Sequence, residues 1–186
     1  MLIQYPASFS LSAILPHIKL EIGPLAAWIP NEKKVIRPYV AEKFPHLFAQ
    51  SSTSVSTVAA ERIFWEKASI LHQKAHHPPT SRLPLRYSRH YYDLYRLSCS
   101  PIRDKALARF DLLQDTVDFK IKFYRSVWAG YEQAKPGSLR LSPSAERVAD
   151  LRKDYQNMQP QMRLPISIRR AMIFSSLALS SGTRPI

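Results

Sequence analysis

The spacing of apolar and polar residues changes rhythm along this chain. At His17–Gly23 the run HIKLEIG alternates, with Ile18, Leu20 and Ile22 on one side and Lys19 and Glu21 on the other. That period of two predicts a strand with one buried face. Gly23–Pro24 ends it. Residues 33–41, KKVIRPYVA, read as a second short extended piece, in which Pro38 argues for an edge or a bend. The small and β-branched run SSTSVSTVAA at 51–60 predicts a strand that enters a helix at about Ala60.

From there the period is helical. A first helix spans about 60–75 and stops before Pro78–Pro79. A Pro-rich, basic loop follows, HHPPTSRLPLRYS. A second helix covers about 88–98, with Ser88 as its N-cap. Ser100–Pro101 start the next. Ala106, Phe110, Leu113, Val117, Ile121, Tyr124, Trp128 and Tyr131 then recur every three or four residues, which predicts a long core-facing stripe, divided once and closed by Lys135-Pro136-Gly137. Ser142–Pro143 open a last helix with Val148, Leu151, Tyr155 and Met158 on one face, ending before Pro160. The expected class is α+β: a sheet region over 1–58, a mostly α-helical domain over 59–160, and a divergent basic tail over 161–186 that contains no carboxylate.

One lysine stands out. On the first helix Ile63, Phe64, Ala68, Ile70 and Leu71 make an apolar face, and Lys67 falls near its centre. A lysine there snorkels out, pairs with a carboxylate, or works in a cleft. Asp93, in SRHYYDL, is the only carboxylate near it in the following stretch. Asp93 has competing partners in Arg89 at i−4 and Arg96 at i+3. Arg86 and Arg89 are either exposed partners of Asp93 or bidentate phosphate contacts.

The segments ERIFWEKASILH and RYSRHYYDLYRL, with KLEIG at Lys19–Gly23 and IRPYVAEKFPHLF at Ile36–Phe48, resemble the AbiEii/AbiGii toxin family of nucleotidyltransferases from about His17 to Met158. The resemblance implies a remnant of a polymerase-β-like mixed sheet followed by a helical domain. It implies Lys67 as the phosphate-contacting lysine, Asp93 as the later acid of the motif, and Glu21 as a metal carboxylate, where the alternative is a solvent-facing strand residue. Mg²⁺ and an NTP are the implied cofactors. An acceptor RNA such as tRNA and a neutralising antitoxin are the implied partners. The family's first motif, a Gly-Ser turn followed by an Asp-x-Asp strand, has no counterpart: there is no aspartate before Asp93 and no Gly-Ser pair before Gly137–Ser138. The expectation is therefore a truncated enzyme, inactive alone.

Charge and the remaining residue types narrow this little further. The net charge is +13, which favours a polyanionic partner. Tyrosines interleaved with arginines (Arg86, Tyr87, Arg89, Tyr91, Tyr92, Tyr95, Arg96) either stack on bases or pack in the interior. Cys99 is the only cysteine, so no intrachain disulfide forms and a cytoplasmic setting is expected. His72 and His76 stand at i, i+4, but the glutamate of a H-E-x-x-H zinc site is missing. No apolar run is long enough to span a membrane. Two other readings stay open: a non-catalytic RNA- or antitoxin-binding module, and a degraded gene product.

Overall fold

A computed structural model describes residues 1–4, 6, 17–20 and 29–159. The class is α+β. Strands β1 (Leu2–Gln4) and β2 (His17–Lys19) pair antiparallel, Ile3 opposite Ile18. Strands β3 (Asn31–Ile36) and β4 (Thr53–Val58) form a second antiparallel pair, Lys34 opposite Val55. Six helices follow or interrupt them: α1 (Tyr39–Lys43), α2 (Ala60–Ala75), α3 (Arg89–Ser98), α4 (Ile102–Leu107), α5 (Phe110–Phe123) and α6 (Val148–Met158).

Helix α2 is the hub. Phe64, Trp65, Ala68 and Leu71 are buried against Leu94 of α3, Ala106 of α4, and Leu112, Leu113 and Val117 of α5. Trp65 lies edge-on to Phe64, with ring centroids 5.1 Å apart, and its indole N–H donates to the Ala106 carbonyl at 3.0 Å. A buried tryptophan keeps its one polar atom partnered in this way. His72, fully buried, staples the C-terminal part of the domain to α2. Its Nδ1 accepts the Arg140 N–H at 3.0 Å, and its Nε2 then donates to the Gly130 carbonyl at 2.8 Å. Gly130 has φ +61, and a Cβ there would sit 3.1 Å from the His76 ring, so the turn needs glycine twice over.

Several expectations change. The 33–41 piece is extended only to Ile36, and Pro38 precedes a helical turn, α1, in place of an edge strand. The face of Ile18 and Leu20 is not buried: the two residues are 57% and 41% exposed, because a two-stranded pair of three residues each has no second layer among the described residues. Ser88 is not a side-chain N-cap. Its backbone is already helical, and its hydroxyl donates to Asp154 on α6. The long stripe divides at Ala108–Arg109 as expected, but its helix stops at Phe123. Trp128 and Tyr131 pack from a non-helical connection that closes with a 3-10 turn at Tyr131–Gln133. Apolar spacing reports burial, and a turn can bury residues at the same spacing as a helix.

The β3–β4 pair and α1 leave an apolar surface exposed: Val35, Tyr39, Val40, Phe44 and Leu47 are each 50% exposed or more. No helix among the described residues is long and apolar enough to cross a membrane.

Candidate nucleotide site

Lys67 lies midway along α2, and His90 and Asp93 stand three apart on α3, hence on one face of it. Packing α3 against α2 brings the three together. The Lys67 Nζ donates to Asp93 Oδ2 at 2.7 Å and contacts His90 Nδ1 at 3.5 Å. The side chains of Lys67 and Asp93 are 22% and 36% exposed, so the pair sits at the rim of the core, open to a ligand on one side. Asp93 pairs with Lys67 and with neither Arg89 nor Arg96, which resolves its competing partners.

In the sequence His90 is no more than a neighbour of Asp93 in SRHYYDL. The structure makes it part of the site. Burial first, then the positive charges of Lys67 and Arg89, push its imidazole down to about 4, against the opposing pull of Asp93. It is neutral at ordinary pH. An ammonium only donates, so Nδ1 accepts from Lys67 and the ring proton rests on Nε2. Lys67 is thus held by two acceptors, and an ammonium has a third N–H left for a ligand.

Lys67 is not at the centre of the buried face. That face is carried by Phe64, Trp65, Ala68 and Leu71 together with Arg62, Ser69 and His72, and it leaves Lys67 on the flank. Three of these are polar. Each finds its partners: Arg62 in Glu66 and the Ile29 carbonyl, Ser69 in the Glu66 carbonyl, and His72 in Gly130 and Arg140.

The arginines lie apart from the pair. Arg89 is exposed at the start of α3, one residue before His90. Arg86 is exposed on the loop before α3, in a left-handed conformation (φ +61) fixed by Asp154, whose Oδ1 accepts its N–H at 2.6 Å. Glu21 lies outside the described residues.

A model of the family described as nucleotidyl transferase AbiEii toxin, type IV toxin–antitoxin system, matches residues 1–170. The chain belongs to this family. No curated protein and no solved structure matches. Chemistry in the family uses an NTP and a divalent metal. The described residues do not fit the metal: Asp93 is engaged by Lys67, Glu66 by Arg62, and no three His, Cys, Asp or Glu side chains converge among them. The histidines at 72 and 76 form no zinc site either, since His72 spends both nitrogens on the backbone and His76 gives Nδ1 to the His72 carbonyl.

Proposed function

We propose that this member of the AbiEii toxin family supplies the phosphate-binding half of a nucleotidyl-transfer site. The observation that carries the reading is the Lys67–Asp93 contact at 2.7 Å, with His90 beside it. Held on two sides, the ammonium is fixed where it can neutralise charge on a triphosphate, and preorganised charge of this kind is worth more than a mobile one. Asp93 and His90 act by orienting it. Arg89 and Arg86 add positive field nearby. The acceptor is an RNA such as tRNA, a reading supported by the net charge of +13. The setting is cytoplasmic.

This chain alone does not transfer nucleotide, because Asp93 and Glu66 are engaged in ion pairs and the sequence has no Asp-x-Asp element. The test is filter binding of a labelled NTP by the full chain and by Lys67→Ala, beside a Mg²⁺-dependent transfer assay onto tRNA. A charge-assisted contact is worth about 1.5–3 kcal/mol, so the variant should bind the triphosphate roughly 10- to 100-fold more weakly. Equal binding by the variant would overturn the role of Lys67. Label transfer by the pure chain would overturn its inactivity.

A second reading is a binding module without chemistry. The exposed apolar surface of β3, β4 and α1 supports a protein partner, as expected for a toxin met by its antitoxin. Here the basic face would hold RNA, and RNA affinity would fall steeply with salt whether or not Lys67 is present.

A further inference from the structure

Between α2, the end of α5 and the 3-10 turn at Tyr131, the surface folds into a cleft of about 380 Å³. That volume lies at the lower end of small-ligand sites. Its composition is specific. Ile70, Phe119 and Tyr124 supply apolar and aromatic walls, with the two rings 6.1 Å apart and Tyr124 half exposed. Three polar groups in it have nothing to bind among the described residues. The Lys120 amine makes no ion pair or hydrogen bond there. Its nearest charge influence is Glu66, which is held by Arg62. The Gln73 amide is likewise without a hydrogen bond. The Tyr131 hydroxyl is buried and unpartnered on a residue only 4% exposed.

A folded chain normally satisfies buried polar atoms, so a buried phenol without a partner beside a desolvated amine in a cleft marks groups kept for a ligand. Burial lowers Lys120 to about 8, opposed only by Glu66, which leaves it protonated in large part and able to donate. The ligand must therefore offer a flat face to the aromatic rings and hydrogen-bond acceptors at its edge to an amine and a phenol. We infer that this cleft takes a nucleobase bearing a ring carbonyl. The position agrees with this: Glu66 and Ile70, on its wall, flank Lys67 on α2, and the charge of Lys120 is felt at His90. The inference deepens the nucleotidyl-transfer reading, and it rests on that reading for which molecule carries the base.

The two sources of a base, the NTP and the 3′ end of an acceptor RNA, are separated by the probes. Isothermal titration of the full chain would use uridine, adenosine, UTP and a short RNA ending in uridine. Uridine is expected to bind saturably and at least about fivefold more tightly than adenosine, which has no ring carbonyl. Lys120→Met and Tyr131→Phe should each weaken uridine about fivefold or more. Tyr131→Phe removes an oxygen that bonds to no described residue, so it tests the cleft even if Lys120→Met unfolds. UTP binding more tightly than uridine, with the gain lost in Lys67→Ala, assigns the base to the NTP. RNA binding more tightly, with UTP equal to uridine, assigns it to the acceptor. No saturable uridine binding, or binding unchanged in Tyr131→Phe, overturns the cleft. A UTP affinity insensitive to Lys67→Ala while uridine still depends on Tyr131 overturns the phosphate role of Lys67 and leaves the cleft standing.

Discussion

Asp154 and Ser88, 66 residues apart, are joined twice: Asp154 Oδ2 accepts the Ser88 backbone N–H at 2.8 Å and the Ser88 hydroxyl at 2.5 Å. The other carboxylate oxygen holds the Arg86 N–H at 2.6 Å. One side chain on α6 thereby fixes the start of α3, the helix that carries His90 and Asp93. Removing it leaves the buried Ser88 N–H without its acceptor and its hydroxyl with only the Met158 Sδ at 3.4 Å. Asp154→Ala should lower folding stability by about 2–3 kcal/mol, since hydrogen bonds to charged groups are worth about 1.5–3 kcal/mol. Urea unfolding measures this, and a loss below about 0.5 kcal/mol would show that the clasp does not hold α3.

Arg86 adopts φ +61, a conformation that suits glycine and strains other residues. Arg86→Gly should therefore be more stable than Arg86→Ala by about 1 kcal/mol, although both lose the same side chain. Equal stabilities in thermal or urea melts would place residue 86 in an ordinary backbone conformation in solution.

The Lys67–Asp93 pair is partly exposed, so its net worth is nearer to that of a surface pair than of a buried one. A double-mutant cycle of Lys67→Met and Asp93→Asn should give a coupling energy of about 1 kcal/mol. Its absence would mean that the two helices do not hold the contact in solution, and the proposed phosphate site would lose its geometry.

Acid should destabilise the fold through its histidines. His90 is pushed down to about 4 and His72 is also lowered, in both cases mainly by burial. An unfolded histidine titrates near 6.5. Below about 6.5, and down to about 4 for His90, the unfolded chain therefore binds more protons at these positions than the folded one, and stability falls as the pH falls through that window. Above about 6.5 these groups leave stability flat. Urea midpoints at pH 7.5 and 5 should differ, and His90→Asn should shrink the difference. An unchanged difference in that variant would show that His90 is not buried as described.

Helix α2 was legible to within a residue, because its period, its start after a β-branched run and its stop before Pro78–Pro79 are local signals. Strand β4 was legible on the same grounds, and so was the end of the last helix, which starts at Val148 after a 3-10 turn and not at Ser142–Pro143. The placement of Lys67 on its helix was not. Arg62 and His72 are polar by type, and only their partners in space, at Ile29, Gly130 and Arg140, make their burial acceptable. The end of α5 at Phe123 was hidden for a related reason, since Trp128 and Tyr131 keep a helical spacing while packing from a turn.

What the sequence determined by itself was the resemblance to the family, the α+β class, and the choice of Lys67 and Asp93 as candidates, whose pairing the structure then decided. The class follows from periodicity and breakers, which act within a few residues of chain, and the family from the motif segments that carry the resemblance. The tertiary structure alone decided that His90 joins that pair, that Asp154 clamps the helix beneath it, and that Lys120, Gln73 and Tyr131 converge on one cleft without partners among the described residues. Those groups come from elements up to 68 residues apart. Nothing local encodes their meeting. It is set by the packing of α2 against its neighbours, where burial, and not residue type, fixes which polar atoms are spent on the fold and which are left for a ligand.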